Sequence, residues 1–327
     1  MPHVSQVTYI CKETAYTSNA KMESVPIAFV DALCAVLKKE DLGKLQQIGR
    51  PWYRTAKSHY SRRRELTAHL EVDYDGTHVG IGVQHDFHDP FQDLGTQLSK
   101  YDVIRHISMG SMGFTPFSRL PIERFRTKVL PLLNSMANAF DLYTPSRSPK
   151  NITDALFSGL HGRALKISTG YLGRRCTEFI ERQISLGHLE QLKLHGQQWP
   201  ESIKASLRSF LRSPNFRKLD LFGSDSDLDL EGSNLTVDLD MLSCLVNRFL
   251  KGDLRTGTLL CGARSEEMKD IHRAILFGGF LPHLDGLPEP SEIVRNHLVC
   301  TMVWTGPGPQ TLFAEFSFEE VVQVYLK

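Results

Sequence analysis

The residues whose types could do chemistry come first. His85-Asp86-Phe87-His88-Asp89 sets two histidines and two aspartates within five residues, enough donors to start a metal site. The spacing matches no zinc pattern, and no cysteine or distant histidine pairs with it in sequence, so a polar loop is the reading. Asp225, Asp227 and Asp229 open a stretch like a calcium loop. That loop needs glycine at its sixth position and a bidentate glutamate at its twelfth. Leu230 and Thr236 stand there, so the stretch reads as an acidic surface insertion. Gly76, Gly80 and Gly82 are not followed by the Lys-Ser/Thr of a phosphate loop and do not make G-x-G-x-x-G. No G-x-S-x-G occurs, and no serine or cysteine carries a nucleophile's local signature. The chain therefore reads as a non-enzyme, with no catalytic residue, metal or cofactor assigned.

Composition narrows the classes further. Basic and acidic residues number 38 and 37, a net charge of +1, which argues against a nucleic-acid binder. Arg62-Arg63-Arg64 is the local exception, read as a solvated helix end. Apolar residues make up 41%, enough for a core. The six cysteines form no C-x-x-C pair, and Cys34, Cys176 and Cys244 fall within helical apolar patterns, as a reducing compartment allows. The first 21 residues lack the apolar core of a signal peptide, and no run reaches the roughly 18 apolar residues of a membrane span. Asn151-Ile152-Thr153 and Asn234-Leu235-Thr236 then read as chance glycosylation triplets. These features imply an intracellular protein, cytoplasmic or nuclear, with no membrane partner.

The elements that position these residues begin after a polar tail, 1–21. Ser24 and Pro26 suit the start of a helix carrying Ile27, Phe29, Val30, Leu33, Cys34 and Leu37 at spacings of three and four, with Lys38-Lys39 at its end. Asp41 can cap a second helix with Leu42, Leu45 and Ile48. Gly49-Arg50-Pro51 breaks it, and a third follows from Trp52 to Tyr60. From Leu66 the period becomes two, with strands at 66–72 and 79–83 joined by a turn at Asp75-Gly76. A strand around 103–108, a helix over 121–140 and a linker at 144–151 are expected next. Phe29, Phe125, Phe140, Phe179, Phe210 and Phe249 occupy helix-face positions and read as core.

The second half repeats. GRALKI (162–167), LEQLKL (189–194), FRKLDL (216–221) and LRTGTL (254–259) fit the frame apolar-x-x-apolar-x-apolar, with starts 27, 27 and 38 residues apart. Helical patterns at 176–186, 203–211 and 239–250 lie between them, ending near Gly187, Pro214 and Gly252. Such units stack into a curved, mainly parallel sheet backed by helices, with the x residues on the open face. An ordinary α/β layer with coincidental spacing is the alternative. The asparagine that usually follows the strand is absent; Gly170, Gln197, Ser224 and Gly262 stand there. Runs at 297–304 and 311–318 suggest an antiparallel closing pair across Gly306-Pro307-Gly308-Pro309.

Val25-Pro26, the helix through Phe29, Val30 and Leu33, then Leu37, Asp41-Leu42, Leu45, Ile48 and Trp52 together resemble an F-box. With the basic stretch after Trp52, the repeats and Trp199-Pro200, the arrangement looks like the nematode family of F-box-like proteins with degenerate leucine-rich repeats. The departure is Val-Pro for Leu-Pro. The resemblance implies an F-box-like segment at 22–60 and a leucine-rich-repeat-like solenoid at 61–327, an α/β fold. It implies a substrate-recruiting subunit of an SCF-type ubiquitin ligase, docked on a Skp-type adaptor held by a cullin. Adaptor contacts would fall to Val25, Pro26, Ile27, Leu37, Leu42, Leu45 and Trp52. An unidentified target protein would meet Gln191, Lys193, His195, Lys218, Asp220, Phe222, Thr256 and Thr258. The same helices could instead only cap the solenoid of a scaffold protein. A docking module should expose Leu37, Leu42 or Trp52, whereas a cap should bury them against 66–83.

Overall fold

The computed structural model describes residues 25–50, 52–86, 88–94, 98–110, 118–222, 233–277, 287–296, 299–317 and 320–327. The 1–21 tail, the Ser24 cap and the body of the acidic insertion, 223–232, lie outside them. Two compact units emerge, one drawn from Met1–Leu66 with Gly95–Val103, the other from Thr67–Leu94 with Ile104–Lys327.

The first unit holds α1 (Ile27–Val36), α2 (Lys39–Leu45) and α3 (Trp52–Arg62). Pro26 is the N-cap of α1, and its carbonyl accepts from the amides of Phe29 and Val30. The helix stops at Val36, short of the expected lysines, because Leu37 and Lys38 are extended, with ψ of 154° and 155°. Glu40 and Asp41 then sit in the first turn of α2, where carboxylates suit the helix dipole. Val30, Cys34, Leu42, Trp52 and Ala56 form the core, with Val25, Leu33, Leu37, Leu45 and Ile48 packed around it.

Of the basic triplet only Arg62, the last residue of α3, is a solvated helix end. Arg63 is 4% exposed, and its guanidinium donates to the carbonyls of Cys34 (2.6 Å), Ala35 (3.0 Å) and Leu37. These are the orphan acceptors at the C-terminus of α1, so a sequence-distant cation caps that helix. Arg64 makes a two-point pair with Asp102, at 2.9 and 2.7 Å.

The second unit carries one large sheet. Its strands in chain order are β1 (Glu65–Val72), β2 (His78–Gln84), β3 (Gln92–Asp93), β4 (Val103–Gly110), β5 (Arg119–Pro121), β6 (Ala139–Thr144), β7 (Arg163–Gly170), β8 (Gln191–His195), β9 (Lys218–Asp220), β10 (Thr236–Val237), β11 (Leu259–Arg264), β12 (Glu292–Arg295), β13 (Val299–Thr305), β14 (Thr311–Ser317) and β15 (Val321–Leu326). Its helices are α4 (Ile122–Arg124), running through a π-helical stretch at Phe125–Val129 into α5 (Leu130–Met136), then α6 (Lys150–Gly159), α7 (Arg174–Ser185), α8 (Ile203–Leu211), α9 (Leu239–Leu250) and α10 (Glu266–Phe277). The strand order is β12-β13-β14-β15-β11-β9-β8-β7-β6-β4-β1-β2-β3, a mixed α/β fold with an open sheet. β4, β6, β7, β8, β9 and β11 run parallel as successive neighbours; β15 lies antiparallel beside β11, and β1, in an antiparallel hairpin with β2, lies beside β4. The pair across the Gly-Pro turn is β13 with β14, antiparallel as expected.

The expected helix over 121–140 ends at Met136. Phe140, Leu142 and Thr144 are buried while Asp141 and Tyr143 are not, so the stretch alternates as a strand and pairs with β7. The linker at 144–151 turns into α6 at Lys150.

The two clean repeats are in register, Leu192 opposite Leu219. The outer two are displaced. Ile167, not Leu165, lies opposite Leu192, because the ladder skips Leu165 between its pairings of Ala164 and Lys166. The buried Gln183 of α7 holds this bulge. It accepts from the Ala164 amide at 2.9 Å and donates to the Gly162 carbonyl at 3.1 Å. At the other end Leu260, not Gly257, lies opposite Leu219. In space the frame extends to two strands that the sequence pattern missed. Ile107 of β4 aligns with Leu142 of β6, and Leu142 with Ile167. Where a last apolar slot is expected, β6 and β7 carry Thr144 and Thr169, both fully buried, with a 2.6 Å hydrogen bond from the Thr144 hydroxyl to that of Thr169. Each hydroxyl is satisfied inside the core, so threonine can stand in an apolar slot.

Candidate functional site

Two surfaces stand out, one in each unit. In the helical unit, burial separates packing residues from surface residues. Leu42 is fully buried and Trp52 is 8% exposed, so both belong to the unit's own core. Val25, Leu37 and Leu45 are half-buried. Pro26 is exposed, and Ile27 is 66% exposed. Phe29, expected in the core, is 56% exposed, and Val36 is 41% exposed. With Ala28 and Ala32 also exposed, α1 carries an outward apolar strip, bordered on its Ile27 side by the Asp31 carboxylate, whose side chain is 41% exposed. The spacing of 28, 32 and 36 makes it one stripe along the helix. The sequence pattern missed Phe29 and Val36 as surface residues because α1 is apolar nearly all round, and periodicity then assigns no face.

Asp31 lies on the same helix with polar company. The His59 ring nitrogen is 2.8 Å from its carboxylate and the Lys100 ammonium is 3.3 Å away. The His59 hydrogen bond and then Lys100 hold the Asp31 carboxyl below its ordinary range.

In the second unit the open face of the parallel strands carries polar rows fixed by register. His106, Asp141, Lys166, Gln191 and Lys218 stand abreast on five neighbouring strands. Ser108, Tyr143, Ser168, Lys193 and Asp220 form the next row. Beyond them the first row continues into Leu259, Tyr325 and Phe313, so the face turns from charged to aromatic. Asp141 is bracketed by His106 at 3.4 Å and Lys166 at 3.0 Å, and Lys218 pairs with Asp220 at 3.2 Å. Burial pushes the Asp141 carboxyl up, but the His106 and Lys166 contacts outweigh it and leave the group below its ordinary value. A shallow depression of about 280 Å³ lies over these rows, lined by both. Tyr143, 42% exposed, stands in it.

Three of the eight expected target residues, Gln191, Lys193 and Lys218, line this depression. His195 and Asp220 are on the same strands but each is only 9% exposed, and Phe222 follows β9, half-buried. Thr256 and Thr258 are not on the sheet face. Both precede β11, because the fourth repeat frame is displaced. Thr258 is buried, donating to the Arg255 carbonyl, and exposed Thr256 accepts from Gln310. The corresponding face positions on β11 are Leu259 and Cys261. His106, Asp141, Tyr143 and Lys166 were missed. Their signal was the alternation at 103–108 and 139–144, which shares a face with the repeats only once the strands are paired.

Of the histidine-aspartate stretch, His85, Asp86, His88 and Asp89 are exposed, and the Asp86 amide donates to the Asp89 carboxylate at 3.2 Å. No group of three or more metal-binding side chains converges among the described residues, and no described helix is long and apolar enough to cross a membrane. No family model, no curated protein and no solved structure matches the chain.

Proposed function

We propose that the chain is a non-catalytic, substrate-recruiting subunit of an SCF-type ubiquitin ligase. The helical unit docks a Skp-type adaptor, and through it a cullin, while the open sheet face holds the target. The observation that carries this reading is the apolar outer face of α1, with Ile27 and Phe29 both more than half exposed on a unit whose core is already complete. Exposed apolar side chains gathered on one helix suit a partner that covers them, and the half-exposed Asp31 carboxylate beside them offers that partner a polar contact. The resemblance of residues 25–56 to an F-box names the partner. The six parallel strands with the Leu192 and Leu219 slots in register support a degenerate leucine-rich-repeat layer for the target domain. In this reading the chain breaks no bond; it raises the local concentration of target lysines near a charged ubiquitin carrier.

Burial also sets which test is informative. Replacing Leu42 would break the core and confuse folding with docking. Ile27→Asp/Phe29→Asp changes exposed side chains alone. Co-expressed with a Skp-type adaptor, the wild-type chain should co-purify and this variant should not, at equal hydrogen-exchange protection of the α3 amides. A folded wild-type chain that leaves the adaptor behind refutes the ligase assignment.

A further inference from the structure

The open sheet face has a charge imbalance at its centre. Three lysines, Lys166, Lys193 and Lys218, and His106 line the depression there, against two carboxylates, Asp141 in its lining and Asp220 at its edge, paired with Lys166 and Lys218 respectively. Lys166 and Lys218 flank Gln191 in one row, two strand steps apart. Two steps span about 9.6 Å. That distance matches one turn of a polyproline II segment, three residues at about 3.1 Å each, whose side chains at i and i+3 lie on the same side. Tyr143 offers an apolar ring beside the row. The existing pairs of Lys166 and Lys218 are partly solvated, with lysine side chains 48% and 38% exposed, so their ammonium groups can turn to an incoming carboxylate.

The second basic groove, between α8 and α9, differs. Arg208 there is held by Asp238 and Asp240, and Arg248 by Asp253 and the Leu211 carbonyl, which leaves Arg212 and Lys251 as the cations that also line it.

We propose that the open face binds an extended acidic segment of its protein partner, in polyproline II form, with two carboxylates three residues apart seated on Lys166 and Lys218. This rests on reading the face as the target surface, but not on adaptor docking. The test therefore uses the purified full chain without adaptor, so failure of the ligase assignment and failure of this proposal are read separately.

The probe is a fluorescein-labelled decamer with glutamate at every third position among proline and serine, followed by anisotropy. A glutamine-for-glutamate decamer and one with the same glutamates adjacent serve as comparators. The spaced acidic decamer should bind at least about tenfold more tightly than the glutamine form and should weaken as salt rises from 50 to 500 mM, roughly as screening shortens the range of charge attraction. Lys166→Gln/Lys218→Gln should weaken it about tenfold at unchanged melting, Lys166→Arg/Lys218→Arg should restore it, and Arg212→Gln/Lys251→Gln should leave it alone. Equal binding of the glutamine decamer, or of the Lys166→Gln/Lys218→Gln variant, overturns the proposal. Equal binding of the adjacent-glutamate decamer overturns the spacing. Loss of binding only in Arg212→Gln/Lys251→Gln moves the site to the α8–α9 groove and overturns it as well.

Discussion

Leu42→Ala and Ile27→Ala should part company sharply, although both positions belong to one apolar pattern. Leu42 is fully buried among Val30, Cys34, Trp52 and Ala56. Truncating it removes transfer free energy and leaves a cavity, about 3 kcal/mol within the usual range for such a change. Ile27 is 66% exposed, so about a third of its side chain is buried. With roughly 1.5–3 kcal/mol for full burial of such a side chain, Ile27→Ala should cost about 0.5–1 kcal/mol. The chain has two compact units, so a single global unfolding curve is not the right assay. Hydrogen exchange at the amides of α3 reports opening of the helical unit itself. Leu42→Ala should reduce protection there about 150-fold, and Ile27→Ala by no more than about fivefold. Equal losses would mean that the face of α1 is not a surface and that the docking argument starts from the wrong residues.

Arg63→Met removes the donor that serves three carbonyls at the end of α1, and should cost the helical unit about 3 kcal/mol. Exchange should quicken first at the C-terminal turn of α1; unchanged exchange there would contradict the cap. His69 is buried on β1, 2.7 Å from the Ser108 hydroxyl, and burial lowers its pKa below the ordinary histidine value. A depressed folded pKa gives stability that is full above the unfolded value, near 6.5, and is lost as pH falls through the folded one. Melting of the sheet unit should therefore drop between pH 7.5 and 5, and His69→Gln should flatten part of that slope.

How much of this was legible depends on which force decided each element. The three helices at the start were readable because their apolar spacing is local, and so were α7, α8 and α9, two of which end at glycines with positive φ, Gly187 and Gly252. The antiparallel hairpin of β1 and β2 was readable from alternation and the turn at Gly76, φ 70°. β6 was not, because a short strand directly after a helix continues the apolar content without a break. Its identity comes from pairing with β4 and β7, which sequence spacing does not encode. The role of Arg63 was equally hidden. Nothing local distinguishes a buried guanidinium from its exposed neighbour Arg62 or from the half-buried Arg64; the carbonyls it reaches are 26 to 29 residues away.

The repeat shows the same limit from the other side. Its frame was legible where leucine fills every slot and illegible where one hydrogen-bonded polar group replaces an apolar one. Thr144 and Thr169 satisfy each other in the core, and Gln183 satisfies the backbone of the bulge that moves the frame at Leu165. The bulge that Gln183 holds sets Lys166 opposite Asp141, and so in line with Gln191 and Lys218. The face that the target reading uses is thus set by residues on the opposite side of the sheet. A change of Gln183 to leucine would leave the Ala164 amide and the Gly162 carbonyl without this partner, and should disturb the row containing Lys166 before it disturbs the clean Leu192–Leu219 pairing. Binding of the acidic decamer, rather than melting temperature, is the measurement that should register it first.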